Sequence, residues 1–196
     1  MKQVGITGGI GSGKTYVCKI FESMDIPVYY ADQRAKELLY KSKPLKTQVK
    51  KLLGPQAFHR NGRPNRAYIG SKIFADKALL QKMNELVHPA VALDSTQWHN
   101  EQSAPYTVKE AALLVENGSY REMDVLIVVT APIDIRMARV MKRDKTSATG
   151  VESRMKNQLP DAAKVAVADY VIVNDGTKSV LQQVVKIHQA LLKPTK

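Results

Sequence analysis

The residues best equipped for chemistry stand close to the start of the chain. Gly8, Gly13, Lys14 and Thr15 satisfy GxxxxGK[ST] in full, with Gly9, Ile10, Gly11 and Ser12 filling the spacing. Five glycines fall between Gly5 and Gly13. Glycines at this density let a backbone fold tightly and turn its N–H groups inward on an anion. Lys14 is spaced to reach the outer phosphates of a nucleoside triphosphate, and Thr15 supplies a hydroxyl for magnesium. A glycine-rich turn that binds nothing would explain neither the lysine nor the register.

Carboxylates and cations further along could complete such a site. Asp32 follows the short apolar stretch Val28–Tyr30, where it could take a proton from an acceptor hydroxyl, orient metal through water, or cap the following helix. Glu110 closes another strand-like stretch and is a second candidate for the acidic group that meets metal-bound water. Arg136, Arg139 and Arg143 recur at spacings of three and four, so a helix would put them on one face. Arg154, Lys156 and Gln158 lie in a polar stretch, 144–163, that suits a lid closing over phosphates. Asn174 and Gly176 follow the last apolar run, where backbone and amide groups could meet an adenine. Arg60, Arg63 and Arg66 give the middle of the chain positive charge suited to phosphate. His88 precedes Pro89 and reads as a capping residue at a helix break, while His59, His99 and His188 read as surface residues.

These groups need a scaffold that gathers them. VGIT before the glycines reads as a strand, and Val17, Ile20, Phe21 and Met24 recur at helical spacing after them. The motif therefore lies between a strand and a helix, the context it requires. Further strands are expected at Val28–Tyr30, near Tyr106–Ala111, in DVLIVVTAP (124–132) and in ADYVIVNDG (168–176). The fourth is a continuous apolar run of the kind buried in a parallel sheet. Residues 33–101 read as helical, interrupted by a loop through FHRNGRPNRAYIGSKIF that Gly62, Pro64 and Gly70 mark. The expected architecture is α/β, a P-loop core of five parallel strands over 1–32 and 102–196. A helical insert at 33–101 and a short lid near 144–160 complete it. Strand order is not legible at this level.

Composition narrows the function classes. The chain has 196 residues and a formal net charge of +12, which favours anionic partners in general. Aromatics are few and show no interleaved pattern with the basic residues, so nucleic acid is a disfavoured partner. A single cysteine excludes an internal disulfide and a cysteine-built metal site. No apolar run approaches membrane-spanning length and the first residues do not read as a signal peptide, so a cytoplasmic protein without a membrane partner is expected. A GTPase is disfavoured, because TAPID stands where NKxD would follow the fourth strand and no DxxG follows the third. What remains is a nucleotide-dependent kinase acting on a small acceptor.

The chain resembles the dephospho-coenzyme A kinase family from end to end. The resemblance rests on VGITGGIGSGKT (4–15), Ala31–Asp32, Arg66, Asp76, His88–Pro89, ALLVE (112–116), Arg139, Arg143, Gln158 and ADYVIVNDG. It implies transfer of the γ-phosphoryl of ATP to the ribose 3′-hydroxyl of dephospho-coenzyme A, with ATP and Mg²⁺ required. Asp32, Lys14, Arg139 and Arg143 would then be catalytic. Residues 8–15, Arg154, Asn174 and Gly176 would hold ATP, and Asp32, Arg66, His88 and Glu110 the acceptor. A nucleoside or nucleoside-monophosphate kinase is the alternative. The chain departs from the family pattern at Tyr30, where an aspartate is common, at Ala112 and Val115, at Asn65, and at Arg136, where glutamine is common.

Overall fold

The computed structural model describes residues 1–193, apart from one side chain at position 74. The backbone divides into two compact units, Met1–Tyr30 with Gln102–Lys196, and Ala31–Glu101.

The first unit is built on five parallel strands. They are β1 (Lys2–Thr7), β2 (Val28–Tyr30), β3 (Tyr106–Glu110), β4 (Val125–Thr130) and β5 (Tyr170–Val173), in the order β2-β3-β1-β4-β5. The long chain excursion between β2 and β3 and the crossovers after β1 and β4 are what parallel pairing demands. Alternation along β4 explains its unbroken apolar run. Ile127 and Val129 join Val4, Ile6, Val108 and Ile172 in one buried cluster, while Leu126 and Val128 pack with Leu114 in another. Both faces are thus apolar, as in a covered parallel sheet. Helix α1 (Lys14–Glu22) buries Val17, Cys18, Ile20 and Phe21 against the first cluster. The C-terminal helix α9 (Val180–Leu191) adds Val184 and Ile187 to it. Its His188 is not the free surface residue the sequence suggests, because its Nδ1 lies 2.7 Å from the Tyr106 hydroxyl.

Between β4 and β5 run α6 (Ile133–Asp144), α7 (Ala148–Met155) and α8 (Asp161–Val165). α6 ends at Lys145 in the left-handed region, φ 49°, and that turn opens the polar stretch.

The second unit is helical, with α2 (Ala31–Lys41), α3 (Lys43–Leu53), α4 (Arg66–Ala75) and α5 (Lys77–Asn100). Leu45, Val49, Leu53, Phe58, Ile69 and Met83 form its own core. Two expectations need correction here. The stretch 66–75 is helix rather than loop. Asn65 caps it by accepting from the Tyr68 N–H at 3.2 Å, and Gly70 is tolerated inside it. Nor does Pro89 break a helix. α5 runs through it, and His88 is exposed in the helix interior rather than capping an end. The cost of the missing proline N–H is one backbone hydrogen bond. The side chain of Arg34 forks onto Asp94, at 2.9 and 2.6 Å, and ties α2 to α5.

Candidate active site

β1 ends at Thr7 and α1 begins at Lys14, so the glycine motif fills the turn between them. Gly13 stands before α1 with φ 100° and ψ 22°, a conformation that penalises any Cβ. A Cβ there would also collide with the side-chain amide of Asn174. No side chain caps α1. Ser42, Asn65, Asp76, Ser147 and Ser179 cap α3, α4, α5, α7 and α9. An uncapped helix start beneath a glycine loop offers backbone N–H groups and the positive end of the helix dipole to an anion. Lys14 leans back over the loop, its Nζ 2.9 Å from the Gly8 carbonyl and 3.4 Å from that of Gly9. Ser12 is buried and its N–H donates to the Gly9 carbonyl at 3.1 Å. Thr15 is exposed in the first turn of α1.

The loop is held from outside by four side chains. Asn174 donates to the Ser12 carbonyl at 2.8 Å and accepts from Arg139 at 3.3 Å. Both ends of its amide are therefore engaged in bracing the loop, a use that the expectation of adenine contact did not foresee. Arg139 also approaches the Gly11 carbonyl at 3.5 Å. Gln158 accepts from the Ile10 N–H at 2.7 Å, which moors the end of the polar stretch to the loop. Arg136, foreseen only as a third member of a basic helix face, is buried and donates to the Ile10 carbonyl at 2.9 Å. Gly176 has φ 88° and lies in the turn after β5 with open space around it.

Arg143 and Arg154 do not reach the loop through any of these bonds. Both converge on Asp144, Arg143 at 2.7 and 3.1 Å and Arg154 at 2.6 Å. Hydrogen bonds from Arg143 first and Arg154 second hold the Asp144 carboxyl well below its ordinary range, at about 2.

Glu110 is buried at the C-terminal end of β3, in register with Ile6 of β1 and Tyr30 of β2. It thus stands on the strand next to the one that feeds the glycine loop. Cys18 is buried, and burial foremost, then the charge of Glu110, pushes its thiol far up. That excludes it as a nucleophile near neutrality. Tyr30 is also pushed up, chiefly by burial. Among the described residues no cluster of three or more His, Cys, Asp or Glu side chains could cage a metal. The donor set fits magnesium bound mainly through phosphate and water, with a hydroxyl such as that of Thr15.

In the helical unit, Asp32 is the second residue of α2, which starts where β2 ends, so it lies inside the first turn rather than at the cap. Its charge there favours the helix dipole. Arg66 opens α4 and lines a cleft of about 520 Å³ with Gln33, Lys36, Tyr40, Lys41 and Arg63. The unit carries 13 Lys and Arg against 6 Asp and Glu, so it holds more than half of the chain's excess positive charge. His88 does not line this cleft.

Comparison with known proteins gives these features a family. A family model described as "CoaE: Dephospho-CoA kinase" matches residues 2–179. A dephospho-CoA kinase of Bacteroides fragilis is 31% identical over 94% of this chain and 90% of its own length. One from Salinibacter ruber is 36% identical over 93% of this chain and 94% of its own. The crystal structure of TT1252 from Thermus thermophilus superposes with a TM-score of 0.88 at 30% identity, over 98% of each chain. With the glycine loop, its uncapped helix and the parallel sheet all in place, the chain belongs to the dephospho-CoA kinase family.

Proposed function

We propose that the chain transfers the γ-phosphoryl group of ATP to the ribose 3′-hydroxyl of dephospho-coenzyme A, giving coenzyme A and ADP. The observation that carries this reading is the complete phosphate loop in a chain that matches the kinase family over residues 2–179. The helical unit supports the acceptor. Its cleft of about 520 Å³ brings Lys36, Lys41, Arg63 and Arg66 around Tyr40 with one carboxylate, Glu37, which pairs with Lys41, so the lining keeps a positive excess suited to the phosphates and the apolar parts of a coenzyme A precursor.

In this reading the loop N–H groups and Lys14 bind the β- and γ-phosphates and neutralise charge that builds up during transfer. Lys14 leaves the Gly8 and Gly9 carbonyls to do so. Asp32 orients the acceptor hydroxyl and takes its proton as the oxygen attacks γ-phosphorus. The bond from γ-phosphorus to the bridging oxygen breaks, and ADP leaves with that oxygen. Arg139 stands against the loop and stabilises the equatorial oxygens, with Arg143 and Arg154 joining when they leave Asp144. Thr15 would hold magnesium, which when bound would lower the charge on the phosphates. Glu110 faces the same edge of the sheet from β3 and orients water there. Asn174 keeps the loop in shape, and Gly176 leaves open space beside it for the base.

The test is ADP release measured over a panel of dephospho-coenzyme A, nucleosides, nucleoside monophosphates and shikimate. Dephospho-coenzyme A should be the strongly preferred acceptor. Asp32→Asn should keep its fold and its ATP affinity yet lose turnover by roughly 10²-fold or more, the range for a positioned general base. Preference for a nucleoside monophosphate, or full turnover by Asp32→Asn, would overturn the respective part.

A further inference from the structure

Residue Ile10 is pinned at both of its backbone polar groups by side chains from the segment that follows β4. Its N–H donates to Gln158 Oε1 at 2.7 Å, and its carbonyl accepts from Arg136 Nε at 2.9 Å. Arg136 is itself fixed, because its Nη1 lies 3.0 Å from both carboxylate oxygens of Asp161. Asp161 stands three residues after Gln158 and opens α8. A closed circuit results, from Ile10 to Gln158, along the chain to Asp161, across to Arg136 and back to Ile10. The guanidinium fills the space beneath Gly9, where a Cβ would strike it. The residue is 8% exposed.

The same short segment is anchored at a second place. The Leu159 N–H donates to Glu116 Oε1 at 3.0 Å, and the fully buried Lys164 pairs with that oxygen at 2.7 Å. Residues 158–164 are therefore a strap fixed at Ile10, Arg136 and Glu116.

A trans peptide points its C=O and the following N–H in opposite directions. Holding the Ile10 carbonyl on Arg136 therefore aims the Gly11 N–H away from Arg136. We propose that Arg136, held by Asp161, is a positioning residue that aims the Gly11 N–H of the glycine loop at the phosphates of the bound nucleotide. The inference rests on the reading of this loop as a triphosphate site and not on the identity of the acceptor. Arg136 directs Nε to the Ile10 carbonyl and Nη1 to Asp161. Its fork serves two partners at once, which a lysine, with one ammonium, meets only in part.

The test is direct titration of ATP and of AMP, without acceptor, on Arg136→Met, Arg136→Lys and Asp161→Ala. Arg136→Met keeps a buried apolar stem and removes the donors. It should weaken ATP by about tenfold or more, the loss of one charge-assisted hydrogen bond. AMP, which lacks the outer phosphates, should change less than about twofold, within the margin of a contact left intact. Arg136→Lys should fall between Met and the native residue. Asp161 is partly exposed, so Asp161→Ala tests the circuit without emptying the core, and it should weaken ATP about threefold or more while sparing AMP. If Arg136→Met does not fold, Asp161→Ala decides alone. Unchanged ATP affinity in Asp161→Ala, or equal losses for ATP and AMP in any of these variants, would overturn the proposal.

Discussion

Replacing Gly13 by alanine perturbs the loop in two separable ways. The residue has φ 100°, and an L-residue pays on the order of 1–2 kcal/mol to stay in left-handed space. The new Cβ would also drive the Asn174 amide off the Ser12 carbonyl, now 2.8 Å away. One such hydrogen bond contributes about 0.5–1.5 kcal/mol. Together the costs come to roughly 1.5–3.5 kcal/mol, or about 10- to 300-fold in an equilibrium constant. A loop that keeps its native shape pays this as lower stability. A loop that relaxes pays it as weaker ATP binding. Thermal melting and ATP titration on one preparation therefore recover the sum. Gly176→Ala is the control for the melting arm, since φ is 88° there but a Cβ would meet open space. Pairing Gly13→Ala with Asn174→Gly should remove the collision and leave the conformational cost. If Gly13→Ala melts like the native protein and binds ATP within twofold, the reasoning about this loop is wrong.

Three further outcomes can be measured. Lys14→Met should keep the fold, since the stem stays in place and the bonds of the ammonium go to the loop carbonyls rather than to the core, and should lower kcat by roughly 10²-fold or more, as for loss of one transition-state donor. The Asp144 carboxyl, followed by NMR, should titrate at about 2, and Arg143→Ala should move the midpoint toward the ordinary 3.8. A depressed carboxylate contributes fully above its unfolded value and loses its contribution as pH falls through the folded one, so the Arg143–Asp144–Arg154 tie should be constant near neutrality and dissolve between about pH 4 and pH 2. Trypsin should cut after Lys145, Arg154 or Lys156 and spare the fully buried Lys164, and ATP with dephospho-coenzyme A should slow that cleavage.

Much of the core was legible because its signals are local. The glycine motif is read from eight consecutive residues, and the strand at Val28–Tyr30 is bounded as its β-formers suggest. The run 124–132 was visible as a buried strand, although its ends fray to Val125 and Thr130. Where two local signals competed, the sequence misled. Gly62, Pro64 and Gly70 outweighed the Asn65 cap and the apolar spacing of Ile69 and Ile73, so α4 was hidden. Pro89 suggested a break that the packing of α5 on its neighbours overrides. Gln158 fell by position in the polar stretch expected to close as a lid, yet its amide holds the glycine loop. The Arg136–Asp161 and Lys164–Glu116 pairs join residues 25 and 48 positions apart, and nothing in local spacing announces such partners. Strand order is likewise a tertiary fact, set by which crossover packs on which face.

The measurement closest to the central claim is phosphorus NMR of the product formed from ATP and dephospho-coenzyme A. The expected products are ADP and one new phosphomonoester on the ribose 3′-hydroxyl, formed in equal amounts, at a rate cut roughly 10²-fold or more by Asp32→Asn at unchanged ATP affinity. ADP release without that phosphomonoester, or a phosphate placed on any other atom of the acceptor, would contradict it.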